Sequence, residues 1–212
     1  MKFPAKFSDE ILDLFYEIIP DGSKVLDPFA GIGRIHELMH CETTGVEIEP
    51  EWAALHPGTR CANILRFRTS IKFDVIATSC TYGNRMADHH DAKDGSVRHT
   101  YKHYLGRDLH EDNSGQLQWG DEYRHFHELA WKRVVTFLKP KGLFILNISD
   151  HIRSGERQPV VQWHVQCLQR LGLIPTKWYL VPTRRLRHGE NHDVRVEYEE
   201  VVVFRKNIRN RP

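Results

Sequence analysis

The sequence predicts an α/β protein with a doubly wound, mostly parallel sheet. Short apolar runs such as residues 24–26 and 73–78 have the length of buried strands, and each ends in a turn. Up to residue 172 these runs alternate with segments of helical spacing, a pattern typical of a sheet covered by helices on both faces. Residues 177–181 and 196–204 then read as two closing strands. At 212 residues the chain is long enough for one domain, which we assign to 1–212.

The composition is that of a folded protein with no global affinity for polyanions. Hydrophobic residues make up 40% of the chain, and the formal net charge is only +2. The four cysteines form no C-x-x-C pair, so neither a zinc site nor a disulfide framework is indicated. The first ten residues lack a signal peptide's apolar stretch, and no apolar run approaches the about 18 residues of a membrane span. We expect a cytoplasmic protein with no metal and no membrane partner.

A helix is predicted first, after the leader MKFPAKFS. Ser8 is a candidate N-cap and Ile11 the first buried position, and Pro20-Asp21-Gly22 ends the helix.

The next stretch, KVLDPFAGIG at 24–33, joins a strand to a helix that we expect to run to about His40. The backbone N–H groups at such a turn are free to bind a ligand. Gly31 and Gly33 carry no Cβ that would keep a ligand away from the backbone.

A second strand, residues 44–46, leads into Glu47, which follows Asp27 by 20 residues. A carboxylate at this separation, at the tip of the second strand, suits the two hydroxyls of a ribose. A short third strand is expected to end near residues 62–64. The fourth strand, 73–78, ends in the string Ser79-Cys80-Thr81-Tyr82.

Several strings together resemble one family, the class I S-adenosylmethionine-dependent methyltransferases that methylate exocyclic amines of DNA bases. DPFAGIG resembles their cofactor-binding turn, GVEIEPEW their second motif, and EEVVVFRK their last strand. The string TSCTY resembles their catalytic S-P-P-Y motif with both prolines replaced. The resemblance implies a Rossmann-like sheet of seven strands with the last antiparallel. It also implies binding of S-adenosylmethionine by Phe7, Asp27, Phe29, Gly31, Gly33, Glu47, Asn63 and Ile64.

On this resemblance the catalytic residues are Ser79, Cys80, Thr81 and Tyr82. An exocyclic amine is a poor nucleophile because its lone pair is delocalised into the base. The Ser79 hydroxyl and the Cys80 carbonyl would accept its hydrogens and aim the nitrogen, which is catalysis by positioning. Tyr82 would stack on a flipped base. Without the prolines, the rigidity of this turn needs another source.

Residues 84–120 form a long polar segment without helical or strand periodicity, and we assign it as an inserted loop over the substrate site. A second polar segment, 183–195, reads as a basic hairpin loop before the last strand. Both carry candidate nucleic-acid contacts. They are Asn84, Arg85, Arg184, Arg185 and Arg187. Helices at 121–137 and 158–171 flank a fifth strand, 142–149.

The sequence thus favours a methyltransferase acting on a DNA base, cytosine N4 over adenine N6, in a compact form suited to a phage or prophage and its bacterial host. RNA is a less favoured substrate, and the oligomeric state stays open. One alternative is methylation of a pyrimidine at carbon 5 of DNA, RNA or a nucleotide, with Cys80 as nucleophile. Another is a homologue that binds nucleic acid without turnover.

Overall fold

The computed structural model describes residues 7–83, 100–183 and 196–207. Within them, seven strands form one sheet and two short strands form a separate hairpin. The strands, numbered in chain order, are β1 (Lys24–Asp27), β2 (Glu42–Glu47), β3 (Thr59–Cys61), β4 (Phe73–Ser79), β5 (Leu138–Ile148), β6 (His151–Arg153), β7 (Glu156–Gln158), β8 (Leu173–Pro182) and β9 (Tyr198–Lys206).

The sheet has the strand order β3-β2-β1-β4-β5-β9-β8. Strands β1 to β5 pair in parallel, whereas β9 is inserted antiparallel between β5 and β8. This confirms the predicted doubly wound, mostly parallel seven-stranded sheet. The strand order reverses between β1 and β4, and the carboxyl ends beside such a switch point form the crevice where open α/β sheets bind ligands.

The helices are α1 (Asp9–Ile18), α2 (Pro50–Ala53), α3 (Tyr101–Leu105), α4 (Asp121–Phe137) and α5 (Val160–Arg170), with 3₁₀ turns at Arg34–Glu37 and Ser114–Gln116. Helix α1 begins as predicted, since the Ser8 hydroxyl accepts a hydrogen bond from the Ile11 N–H at 3.3 Å. None of the described helices is both long and apolar enough to cross a membrane.

Two apolar cores lie on the two faces of the sheet. Trp131 of α4 and Leu168 of α5 pack with Phe144 on one face. On the other face, Phe15 of α1 packs with Val203 of β9. Neighbouring residues of β4 point alternately into the two cores, as expected of a strand covered on both sides.

The prediction of a helix from the glycine turn to His40 is wrong. Only the single 3₁₀ turn Arg34–Glu37 forms. The imidazole of His36 is buried and lies within 2.9 Å of the hydroxyls of Thr43 and Thr59, which draws the chain down onto β2 and β3. The third strand also ends earlier than expected, at Cys61.

Part of the segment assigned as a loop at 84–120 is described and contains α3 and the turn Ser114–Gln116. Tyr101 and Leu109 are buried against Trp52, so residues 100–116 pack on the carboxyl side of β2. The hairpin of β6 and β7 was not predicted, because its residues are polar and show no alternation.

Candidate functional site

The candidate site lies at the carboxyl ends of the parallel strands. Asp27 ends β1, Glu47 ends β2 and Ser79 ends β4, while Asn147 is the last residue but one of β5. Ser79 and Asn147 are register partners on neighbouring strands. The topology therefore brings the predicted cofactor residues and the predicted catalytic string to one edge of the sheet.

Asp27 is fully buried and only half satisfied. Its Oδ1 accepts from the Phe29 N–H at 3.0 Å and from the Thr78 hydroxyl at 2.6 Å. Its Oδ2 has no hydrogen-bond partner among the described residues. Burial raises the pKa of Asp27 to about 7, and the two hydrogen bonds to Oδ1 only partly oppose this rise. A donor or a cation brought by a ligand would complete this carboxyl group.

Glu47 contacts the glycine turn directly. Its Oε2 accepts from the Gly31 N–H at 2.9 Å, and its Oε1 accepts from the Glu49 N–H at 2.9 Å. Burial raises its pKa to about 7. A carboxylate has about four lone-pair sites, so these two bonds do not use up the acceptor capacity of Glu47. Gly33 shapes the same turn with a φ of 82°, a conformation that favours glycine.

Glu49 has a different environment. It is fully buried, and it accepts from the Arg107 guanidinium and the His110 N–H at 2.8 Å each and from the Asn113 amide at 2.7 Å. These contacts tie residues 107–113 to the end of β2. Glu49 is thus engaged within the protein, which leaves Glu47 as the better candidate for a ribose.

The other predicted cofactor residues lie near this edge, but the protein already uses their side chains. The ring of Phe7 contacts that of Phe15 in a T-shaped arrangement. Phe29 contacts Trp131 in the same way, with ring centres 5.7 Å apart. Asn63 accepts from the Leu65 N–H and donates to Asp112, at 2.9 Å each. The side chain of Ile64 is buried in the core beside α4. Their roles in binding stay predictions.

At the end of β4, Ser79 and Tyr82 are hydrogen-bonded to each other. The two hydroxyl oxygens are 3.2 Å apart, and both side chains are half-buried. The amide nitrogen of Asn147 lies 3.4 Å from the Ser79 hydroxyl and 3.5 Å from the Tyr82 hydroxyl. The same nitrogen donates to Glu199 at 2.8 Å.

A buried chain of hydrogen bonds anchors the string 79–82. The indole N–H of Trp131 can only donate, and it donates to Nδ1 of His164 at 2.9 Å. His164 Nε2 therefore carries the proton and donates to the Tyr123 hydroxyl at 2.9 Å, and Tyr123 donates to the carbonyl of Thr81. This series of hydrogen bonds fixes the turn at a position where the S-P-P-Y motif, which the string resembles, has a proline.

Two further contacts hold the same turn. The Thr81 hydroxyl donates to Ser114 at 3.3 Å, and the carbonyl of Gly83 accepts from the Trp119 N–H at 2.9 Å. Gly83 has a φ of 69°, and a Cβ at this position would come within 2.7 Å of the Trp119 nitrogen. The residues that support the turn follow it by more than 30 positions, so no local pattern marks them as partners.

Cys80 is a buried thiol, and no described cationic side chain is in contact with it. It is 4% exposed, and burial raises its pKa to about 12. The Tyr123 hydroxyl and His164 Nε2 are each 3.9 Å from the sulfur. Burial holds the pKa of His164 well below its usual value, so this imidazole is neutral and does not stabilise a thiolate.

The predicted nucleic-acid contacts lie outside the described residues. This applies to Asn84, Arg85, Arg184, Arg185 and Arg187. Within 7–83, 100–183 and 196–207, no three His, Cys, Asp or Glu side chains are grouped to hold a metal.

The sequence reasoning missed Asn147 and the anchoring chain. A signal for Asn147 was present, because it is the one amide in the apolar run of β5 and lies near a carboxyl end. Tyr123, His127 and Trp131 follow one another at four-residue spacing on α4, and such polar aromatics on a buried helical face indicate an internal hydrogen-bond network. Nothing in the sequence pairs them with Thr81.

Solved structures similar to this chain include several methyltransferases. NodS, an N-methyltransferase from Bradyrhizobium japonicum WM9 in complex with S-adenosyl-l-homocysteine, aligns with a TM-score of 0.55 and 14% identity over 93% of this chain and 85% of NodS. The 1,6-didemethyltoxoflavin-N1-methyltransferase of Burkholderia thailandensis, with bound 1,6-didemethyltoxoflavin and S-adenosylhomocysteine, aligns with a TM-score of 0.52 and 16% identity over 92% of this chain and 76% of that one.

A third similar structure is the [4+2]-cyclase SpnF, with a TM-score of 0.58 and 14% identity over 94% of this chain and 82% of SpnF. No protein-family model and no curated protein matches the sequence. At these identities the comparisons show the fold, and it is the class I, Rossmann-like fold of the S-adenosylmethionine-dependent methyltransferases.

Proposed function

We propose that this chain is an S-adenosylmethionine-dependent methyltransferase that methylates an exocyclic amine of a DNA base, cytosine N4 in preference to adenine N6. One observation carries the proposal. The glycine turn with its two carboxylates, Asp27 and Glu47, and the Ser79–Tyr82 pair lie at the carboxyl ends of β1, β2 and β4, on the two sides of the point where the strand order reverses.

The residues present fit the cofactor. Asp27 offers a buried oxygen that has no partner among the described residues, and Glu47 lies beside the turn as an acceptor for ribose hydroxyls. When bound, S-adenosylmethionine supplies a methyl group on a sulfonium. Two similar structures, NodS and the toxoflavin enzyme, are described as N-methyltransferases, which supports nitrogen as the acceptor. The cyclase SpnF shares the fold, so the fold alone does not define the reaction.

The chain's own residues would act by positioning. The Ser79 hydroxyl accepts one hydrogen of the amine, which raises electron density on the nitrogen and directs its lone pair. Tyr82 offers an aromatic face for the base. The hydrogen-bond chain from Trp131 to the Thr81 carbonyl fixes the turn that carries both groups.

Methylation at carbon through Cys80 is less well supported. That reaction needs a thiolate, and the pKa of about 12 leaves the buried Cys80 protonated at neutral pH.

A small heterocyclic amine is the second candidate substrate. The toxoflavin enzyme, an N1-methyltransferase, holds the small molecule 1,6-didemethyltoxoflavin.

The test is to express the protein in a host that lacks DNA methylation and to analyse the digested genomic DNA by mass spectrometry. We expect N4-methylcytosine; N6-methyladenine would keep the mechanism and change the base. 5-Methylcytosine would instead assign the chemistry to Cys80. No methylated base from a protein that binds S-adenosylhomocysteine would favour the small-molecule substrate.

Ser79→Ala tests the mechanism in the same assay. We expect it to lower turnover by about 100-fold or more, since the amine loses its oriented acceptor, while S-adenosylhomocysteine still binds. Ser70→Ala, at an exposed serine, is the matched control and should be unchanged. Full turnover in Ser79→Ala would remove Ser79 from the mechanism.

A further inference from the structure

Asn147 carries a buried acceptor and lies next to Ser79 in the sheet. The residue is 1% exposed and pairs in register with Ser79 on β4 and with Val201 on β9. Its Oδ1 has no hydrogen-bond partner among the described residues. An unsatisfied buried amide oxygen is uncommon in folded proteins and calls for an explanation.

The orientation of this amide is determined by Glu199. A carboxylate only accepts hydrogen bonds, so the amide nitrogen of Asn147 must face Glu199, from which it lies 2.8 Å. The second hydrogen of that nitrogen is directed at the hydroxyls of Ser79 and Tyr82, at the longer distances of 3.4 and 3.5 Å. Turning the amide over would set its oxygen against the carboxylate. The amide is therefore held with its nitrogen toward Glu199 and the Ser79–Tyr82 pair, and Oδ1 is its unpaired acceptor.

An acceptor at this place selects for a particular substrate chemistry. An exocyclic amine has two N–H donors and needs a second acceptor beside Ser79, and Asn147 Oδ1 is an alternative to the Cys80 carbonyl that the resemblance implies. A carbonyl at the same place would set oxygen against oxygen and leave both unpaired, at the cost of a desolvated polar pair. The site would thereby distinguish an amino-substituted heterocycle from its carbonyl counterpart, such as cytosine from uracil.

We propose, on the basis of the proposed function, that Asn147 Oδ1 binds an N–H of the amine that is methylated and that Glu199 positions it. Ser79 and Asn147 then accept the two amine hydrogens from neighbouring strands. Asn147 is a catalytic residue in this scheme because it contacts the reacting group. Glu199 is a positioning residue, since it acts through the orientation of the amide.

The experiment measures kcat and KM for methyl transfer to unmethylated genomic DNA, together with the affinity for S-adenosylhomocysteine by calorimetry. For Asn147→Ala we expect kcat/KM to fall by about 10- to 100-fold, the effect of one buried hydrogen bond. The affinity for S-adenosylhomocysteine should change by less than about twofold, since no cofactor contact is removed. A folded Asn147→Ala protein with unchanged kcat/KM would overturn the proposal.

Glu199→Gln gives a second test, which decides if Asn147→Ala does not fold. A glutamine can donate to Oδ1 as well as accept from the amide nitrogen, so the amide loses its fixed orientation. We expect KM for DNA to rise and kcat to fall, with cofactor affinity retained. Glu197→Gln removes the same charge at an exposed position two residues away and should leave both constants unchanged. Equal effects of the two glutamine variants would overturn the role of Glu199.

The wild-type protein separates the two proposals. Methyl transfer by the wild type, with no loss in the variants, refutes only the role of Asn147. No transfer to DNA by a wild-type protein that binds S-adenosylhomocysteine refutes the proposed function itself.

Discussion

Replacing Tyr123 by phenylalanine removes one hydroxyl from the centre of the chain that anchors the string 79–82. The aromatic ring and its packing stay, but the Thr81 carbonyl loses its donor and His164 Nε2 loses its acceptor. His164 is fully buried, so water does not replace its bond, whereas Thr81 is half-buried. The unpaired His164 N–H costs about 1–3 kcal/mol and the lost hydrogen bond at the Thr81 carbonyl about 0.5–1.5 kcal/mol, so we expect the free energy of unfolding to fall by about 2–4 kcal/mol in total.

Urea unfolding followed by circular dichroism measures this loss, and an unchanged m-value would show that the folded and unfolded states keep their compactness. Tyr16→Phe deletes a hydroxyl from an exposed tyrosine and is the matched control. A loss below about 0.5 kcal/mol in Tyr123→Phe, the range of ordinary surface substitutions, would refute the anchoring role. The looser turn should also lower methyl-transfer turnover without weakening cofactor binding.

Three further predictions concern the carboxyl edge of the sheet. Asp27 and Glu47 both have pKa values raised to about 7. Their stabilising effect is therefore fully present below about pH 4 and lost as the pH rises through 7, so urea unfolding of the ligand-free protein should give a smaller free energy of unfolding at pH 8 than at pH 5. Asp27→Ala should abolish S-adenosylhomocysteine binding in calorimetry, and retained binding would contradict the assignment of the turn. Gly45→Ala would bring a Cβ within 2.7 Å of the Thr59 hydroxyl and 2.8 Å of the Ala30 methyl, and should lower the melting temperature through a loss of about 1–3 kcal/mol.

Strands β4 and β5 were predictable because each contains a continuous apolar run. Strand β4, expected at 73–78, is found at Phe73–Ser79, and helix α4 has the predicted bounds. The helix expected after the glycine turn does not form. Its apolar residues do have helical spacing. The hydrogen bonds of His36 to Thr43 and Thr59 form only when β2 and β3 pack together, so the spacing cannot predict them.

The candidate site likewise contains residues that the sequence predicts and residues that it does not. Asp27, Glu47 and Ser79 each end a strand, so local sequence and the rules of parallel sheets suffice to bring them to one edge. Tyr123 is 42 residues from Thr81 in the chain, and Asn147 is 68 residues from Ser79. Tyr123 and Asn147 reach the string only because α4 and β5 pack beside β4, a consequence of the topology as a whole.

The buried Glu49 makes the end of β2 and residues 107–113 one cooperative unit. Glu49 accepts hydrogen bonds from Arg107, His110 and Asn113. If residues 107–113 separated from the sheet, the buried carboxylate of Glu49 would lose these partners, which is energetically costly. Glu47 lies two residues away on the same short stretch of backbone. A ligand held by Glu47 should therefore also slow amide hydrogen exchange in residues 107–113, because the two regions are expected to open together.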